Sequence, residues 1–376
     1  MREYLTLFLV AAVVTYLLGV VAREVALRTG AVAKVRDRDV HAVPIPYFGG
    51  VAMLGGLGAA FLVAHQLPFL SLSGRQVFHD SAVVLGGGAM ICLLGVLDDL
   101  FELDALTKLG GQVLAAGFLV LNQVRYYNLP LPGRGQFGLD SAQGALLSVV
   151  VVVATVNAVN FVDGLDGLAS GVVGIGAVAF FAFAYQLADA NGETLAISAA
   201  LLCAALGGAC VGFLPHNFFP ARIFMGDSGS MLIGLMLSGS AMTLTGQFAV
   251  IDMTQGAGGS QASLLPMLLP ILLPISILVV PFADLVLAVI RRTRAGGSPF
   301  APDKQHLHHR LLEIGHSHRR AVLIMWLWAG LIAFGAVLAS LYARRITLIG
   351  LAVWVVLTVA LTFVLPRVQR PAVGTR

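Results

Sequence analysis

Four short stretches of this chain carry side chains that a hydrocarbon environment would reject, and such residues usually have partners or a job. The first is Asp98-Asp99, which closes the apolar run 81–97. Adjacent carboxylates repel, so holding both ionised requires a cation or basic partners. Carboxylate and amide oxygens suit a hard ion such as Mg²⁺, which commonly bridges to the phosphates of a substrate. The second is Asn157-Ala-Val-Asn160-Phe-Val-Asp163-Gly164-Leu-Asp166-Gly167, where polar residues recur every third position. On a helix, Asn157, Asn160 and Asp163 would share one face. Gly164 and Gly167 then weaken the helix and let backbone approach a ligand closely. The plainer alternative is a capped helix end followed by a glycine turn. The third is Gly226-Asp227-Ser-Gly-Ser, a turn that can present backbone N–H groups and a helix N-terminus to an anion, or in which Asp227 is simply an N-cap. The fourth is His306-Leu-His308-His309-Arg310. His306, His309 and Arg310 fall at i, i+3 and i+4 and share a face if helical. A phosphate cradle fits this basic set better than zinc, because no cysteine or fixed carboxylate completes a zinc set.

The elements that must position these groups are membrane spans. The chain has 376 residues, 58% hydrophobic and 11% charged, against about 25% charged in a soluble domain. The expected fold is an all-α polytopic membrane protein, a single integral-membrane domain over 1–376. About twenty apolar residues cross a bilayer as a helix, and eleven candidate spans follow: 4–22, 48–67, 81–97, 107–122, 144–160, 168–188, 194–213, 229–247, 266–290, 321–341 and 346–366. The first run reads as a span rather than a cleavable signal, for want of a small-residue cleavage site. Pro266, Pro270, Pro274 and Pro281 predict a kinked or broken ninth span. Cys92, Cys203 and Cys210 lie in apolar runs and form no disulfide framework.

Eleven spans sort the connections into two sets. The loops 23–47, 98–108, 157–167, 214–228 and 291–320, with the tail after 366, hold 17 of the 23 Lys and Arg residues; the opposite set holds 6. By the positive-inside rule the first set is cytoplasmic, the N-terminus extracytoplasmic and the C-terminus, including a tail over 367–376, cytoplasmic. The same bias explains the basic pI of 9.1 without nucleic acid. All four stretches fall on the cytoplasmic set, as do His41, Lys108, Asn217, Arg222 and Phe224, so one cytoplasmic-face cavity is expected. His65 and His79 fall on the other face. A divalent ion, several carboxylates and a basic cradle at a membrane boundary suggest phosphoryl chemistry between a soluble nucleotide and a lipid phosphate. A secondary transporter would instead bury its charges at the midplane of broken helices within repeats, and no internal repeat is evident here.

The motifs Asp98-Asp99-Leu-Phe-Glu102, Asn-x-x-Asn-x-x-Asp-Gly-x-Asp-Gly-Leu, Gly226-Asp227-Ser-Gly-Ser and His306-Leu-His308-His309-Arg-Leu, preceded by His41-x-x-Pro-x-Pro-x-x-Gly-Gly, resemble those of the polyprenyl-phosphate N-acetylhexosamine-1-phosphate transferase family. The resemblance runs from His41 to about residue 320. It implies that a polyprenyl phosphate attacks the β-phosphorus of a UDP-sugar and releases UMP, with Mg²⁺ or alternatively Mn²⁺ as cofactor. It further implies that Asp227 binds the metal with Asn160 as a second ligand, and that Asp98 and Asp99 orient the metal or deprotonate the lipid phosphate. Asp166, Gly164, Asn217 and Phe224 match the family's uridine pocket, with Asp163 and Asn157 supporting it. His306, His308 and His309 resemble the loop that grips diphosphate or sugar, and Lys108 and Arg310 are phosphate partners. The run Pro302-Asp303-x-x-His306-Leu-His308-His309-Arg310 resembles the branch that uses UDP-N-acetylglucosamine; the alternative is the branch that uses UDP-MurNAc-pentapeptide. Tyr47-Phe48 departs from the family, where a basic residue often precedes the Gly-Gly pair. A homodimer is compatible with such an enzyme, although no feature of the sequence marks one.

Overall fold

The computed structural model describes residues 1–32, 44–131, 135–191, 195–245, 315–342 and 345–363. Eleven helices lie among them: α1 (Arg2–Thr29), α2 (Gly49–Ala64), α3 (Pro68–Ser71), α4 (Arg75–Phe101), α5 (Ala105–Leu121), α6 (Ser141–Val162), α7 (Leu168–Asn191), α8 (Leu195–Asn217), α9 (Gly226–Thr245), α10 (His318–Leu341) and α11 (Arg345–Phe363). Seven of these (α1, α4, α6, α7, α8, α10 and α11) are long and apolar enough to cross a membrane, and α2 and α5 are shorter apolar helices. The protein is a polytopic membrane protein. In lipid every backbone polar group must be satisfied within the segment, which is why the apolar runs appear as helices. Ten of the eleven expected spans coincide with a helix, and the ninth, 266–290, lies outside the described residues, as does the tail.

The expectation of a purely helical chain needs one correction. Two short strands, β1 (Asn128–Leu131) and β2 (Gly135–Gly138), pair antiparallel, with Asn128 opposite Gly138 and Leu131 opposite Gly135. Pro130, Gly135 and Gly138 make these segments poor helix formers, and strand pairing satisfies their backbone instead.

Helix ends are set locally. Asp104 caps α5 by accepting from the N–H groups of Leu106 and Thr107, and Asp140 and Gln143 form a capping box at α6. Helix α1 stops at Gly30, which takes the left-handed conformation open to glycine. Helix α9 is the hub. It packs against α2, α4, α6, α7 and α8, and every residue from Ser228 to Leu244 is buried. Its N-terminus therefore sits inside the bundle, where residues from several helices can reach it.

Candidate active site

The Gly226-Asp227-Ser228 turn that opens α9 is held on three sides. The segment 46–50 runs beside it: Phe224 donates to the Pro46 carbonyl (2.8 Å), Gly49 to Phe224 (3.1 Å) and Gly50 to Met225 (3.2 Å). A Cβ at Gly50 would strike the backbone of Ser228 and Gly229, and one at Gly95 of α4 would strike that of Ser228. Both positions therefore need glycine for the backbones to meet. Gly226 itself has φ +70 and faces the Asp99 carboxylate.

Asp99 and Asp98 do different things. Asp99 accepts hydrogen bonds from the backbone N–H groups of Asp227 (2.8 Å) and Ser228 (3.3 Å), so it caps α9 from another helix. Two of the turn's N–H groups are thus taken by an internal carboxyl group rather than offered to a substrate, and the expectation that they bind an external anion is corrected. The N-cap alternative for Asp227 is displaced in the same way, because the capping carboxylate is Asp99. Asp98, one residue earlier and about 100° round the helix, turns the other way. One of its oxygens accepts from Leu103 N–H (2.9 Å) and the other pairs with the Lys108 ammonium (2.5 Å).

Lys108 also pairs with Asp227 (2.5 Å) and so bridges two carboxylates. The second oxygen of Asp227 accepts from the Asn160 amide (2.9 Å), which also donates to Ser230 (3.0 Å). That leaves the amide oxygen as the atom Asn160 can offer. Four residues widely spaced in sequence, Asp98, Lys108, Asn160 and Asp227, thereby meet at one point. Three further carboxylates surround it. Burial pushes the Asp163 carboxyl up to about 8, with the charges of Asp227, Asp99 and Asp166 adding to the shift.

The donor set fits a divalent cation. Five carboxylates, those of Asp98, Asp99, Asp163, Asp166 and Asp227, gather here around the single ammonium of Lys108, an excess of negative charge that a cation would relieve. Mg²⁺ commonly takes only one or two carboxylates and fills its shell with water and phosphate. Among the described residues no three His, Cys, Asp or Glu side chains converge on a metal position; Asp227, Asp98 and the Asn160 carbonyl would hold the ion, with water and phosphate completing its shell.

Next to this point lies a second loop pair. Asn217 accepts from Gly167 N–H (2.9 Å) and donates to the Ile223 carbonyl (3.1 Å). Asp166 is buried and accepts from Ala221 N–H (2.8 Å). These bonds join the glycine turn after α6 to the loop before α9, with Gly164 exposed at the turn. Phe224 is half-buried beside them, its ring centroid 6.4 Å from that of Tyr47. The departure at Tyr47 thus puts a second aromatic ring beside Phe224. Asn157 lies deeper, its amide bonded to Gln112 (2.6 Å) and to the Val153 carbonyl (2.8 Å); its hydrogen bonds go to these helices and not to the uridine pocket it was expected to support, which corrects that expectation.

Of the residues singled out from sequence, the structure brings Asp98, Asp99, Lys108, Asn160, Asp163, Asp166 and Asp227 together, with Asn217 and Phe224 adjoining. His41, His306, His308, His309 and Arg310 lie outside the described residues. Gln112, Ser230 and Trp326, whose indole donates to Gly167 O (3.2 Å), were not anticipated as site residues. Gln112 had a signal, a polar residue four after Lys108 inside an apolar run; Trp326 had none.

Known proteins resemble this chain over most of its length. A family model described as glycosyl transferase family 4 matches residues 81–245, which run from the second turn of α4 to the end of α9. A decaprenyl-phosphate N-acetylglucosaminephosphotransferase of Mycolicibacterium smegmatis is 45% identical, the match covering 100% of this chain and 91% of that protein. A probable undecaprenyl-phosphate N-acetylglucosaminyl 1-phosphate transferase of Bacillus subtilis is 30% identical over 88% of this chain and 83% of that protein. An undecaprenyl-phosphate alpha-N-acetylglucosaminyl 1-phosphate transferase of Yersinia pestis is 28% identical, over 85% and 80%.

Proposed function

This chain belongs to glycosyl transferase family 4, and from that premise we propose that it transfers N-acetylglucosamine-1-phosphate from UDP-N-acetylglucosamine to a polyprenyl phosphate, releasing UMP. The observation that carries the reading is the meeting of Asp98, Lys108, Asn160 and Asp227 at the buried end of α9, inside the segment that matches the family. The relatives named above support N-acetylglucosamine over the pentapeptide sugar and over transport.

In the reaction an oxygen of the lipid phosphate bonds to the β-phosphorus of the nucleotide sugar. The bond from that phosphorus to the bridging oxygen breaks, and the bridging oxygen leaves on UMP. A phosphate monoester has its second pKa near about 6, so the acceptor is largely dianionic at neutral pH and a strong base adds little. Catalysis then rests on positioning and on electrostatic stabilisation. Lys108 supplies fixed positive charge where two polyanions must approach. Asp98 and Asp227 hold that ammonium in place, and Asp99 holds Asp227. Asp227, Asn160 and Asp98 would hold Mg²⁺, or Mn²⁺, which would supply positive charge to offset the charge of the diphosphate. Asp166, Asn217, Gly164 and Phe224 form the wall assigned to uridine, Phe224 offering a ring for the base to stack on.

The orientation follows from charge. Helix ends that meet at this site adjoin the loops carrying most of the Lys and Arg residues, which favours the cytoplasmic side of the plasma or inner membrane for the site. That is also where nucleotide sugars are found.

The test is UMP release by purified protein with polyprenyl phosphate and Mg²⁺, comparing UDP-N-acetylglucosamine with UDP-MurNAc-pentapeptide. Release from the first, dependent on both lipid and metal, is expected. Release from the second alone would keep the chemistry and overturn the substrate. Release from neither by folded protein would overturn the reading.

A further inference from the structure

The amide pair Gln112–Asn157 touches none of the groups assigned to chemistry, yet it joins the helices that carry them. Gln112 of α5 is 2% exposed. The Asn157 amide of α6 donates to Gln112 Oε1 (2.6 Å), and the Gln112 amide donates back to Asn157 Oδ1 (3.3 Å). The same Gln112 nitrogen reaches the Met231 sulfur of α9 (3.6 Å). Three helices therefore meet at one polar level.

The spacing relates that level to the site. Lys108 is four residues before Gln112, Asn160 three after Asn157, and Asp227 four before Met231. Each helix contributes one residue to the lower level and, one turn away on the same face, one to the upper level. At the upper level Lys108 and Asn160 both donate to Asp227, at 2.5 and 2.9 Å. A reciprocal amide pair is sensitive to length and rotation, because each partner must present donor and acceptor at once. It fixes the mutual register of α5 and α6 in a way apolar packing does not.

We propose that Gln112 is a positioning residue for the transfer, acting through Asn157 to hold Lys108 and Asn160 against Asp227. The proposal rests on the functional reading above for the meaning of the upper level, but not for the geometry of the lower one. Gln112→Asn shortens one arm of the pair and Asn157→Gln lengthens the other, while the exchange of both keeps the total length. Each single variant should lower kcat on the order of 10- to 100-fold, the range a misplacement of about 1 Å produces, with KM for UDP-N-acetylglucosamine changed less than about twofold, since the uridine wall lies elsewhere. The exchanged pair should recover most of the loss, a coupling that independent sites would not show.

A merely structural role would lower thermal stability in both single variants without the split between kcat and KM. An exchanged variant no better than the worse single one would overturn the proposal, and so would losses confined to KM. The rise in melting temperature on adding Mg²⁺ gives a readout without turnover: reduced in each single variant and restored in the exchange, or the proposal fails. Wild-type protein that binds Mg²⁺ but releases no UMP would count against the functional reading, leaving the melting series to decide the role of the pair.

Discussion

Replacing Asp99 with asparagine, and separately with alanine, distinguishes a carboxylate that performs chemistry from one that holds a helix. Asp99 accepts from the Asp227 N–H at 2.8 Å and the Ser228 N–H at 3.3 Å. Asparagine keeps one acceptor for the shorter bond and turns its NH₂ toward the other donor. A hydrogen bond to a charged group contributes roughly 1.5–3 kcal/mol, and a carboxylate at a helix N-terminus about 0.3–1 kcal/mol. Asparagine should therefore cost about 2–4 kcal/mol at the first turn of α9, and alanine more, since it also strands a buried donor. That strain falls on Asp227, so kcat should fall on the order of 10- to 100-fold for Asp99→Asn and further for Asp99→Ala, with melting temperatures dropping in the same order. UMP release, a pH–rate profile and a melting curve measure all three. A proton-transfer role predicts something else: losses of up to about 10⁴-fold, equal in both variants, with stability unchanged and one limb of the pH profile gone. That pattern would refute the capping argument.

Lys108→Met removes the ammonium that bridges Asp98 and Asp227; turnover should drop about 100-fold or more, while the melting shift produced by saturating Mg²⁺ should grow, and a shift unchanged or smaller counts against those two carboxylates as ligands. Asn217→Ala leaves the Gly167 N–H and the Ile223 carbonyl without their partner, so KM for UDP-N-acetylglucosamine should rise about tenfold, in keeping with roughly 1–3 kcal/mol for an unsatisfied buried group; an unchanged KM would remove Asn217 from the nucleotide wall. The Asp163 carboxyl is raised to about 8 in the fold, above its unfolded value of about 4. The folded state thus holds the extra proton, and the stability of metal-free protein falls as pH rises from about 4 to about 8; Asp163→Asn should flatten that part of the melting profile, and a slope that persists belongs to another group. His79→Ala, at the other end of α4 and roughly 28 Å of helix from Asp98, should leave kcat and KM nearly unchanged; a large loss would contradict placing the chemistry at one end of the bundle.

The helices were legible because the bilayer leaves few options. An apolar run of about twenty residues has to satisfy its own backbone, so 81–97 and 144–160 read directly as parts of α4 and α6. The paired strands β1 and β2 were not, since four-residue strands beside proline and glycine carry no clear period. The grouping of Asp98, Asn160 and Asp227 at one end of the bundle followed from the count of apolar runs between them, which the described helices reproduce from α4 to α9.

What remained hidden was direction within a turn. Asp98 and Asp99 are chemically identical neighbours, and only the packing of α4 on α9, through Gly95 against the Ser228 backbone, decides that one faces Lys108 and the other the helix end. Gln112 had the right spacing from Lys108, but its meaning depends on Asn157 standing opposite, a contact between residues 45 apart in sequence. Such pairings arise from register between helices, and register is set by the sum of many small packing contacts rather than by any single motif. It follows that substitutions far below the carboxylates, at the small residues where α9 meets its neighbours, should disturb catalysis as surely as substitutions among them. Gly234 is one such residue, packed on the Val156 backbone one residue before Asn157, so that a side chain added there would push α6 and carry Asn160 away from Asp227.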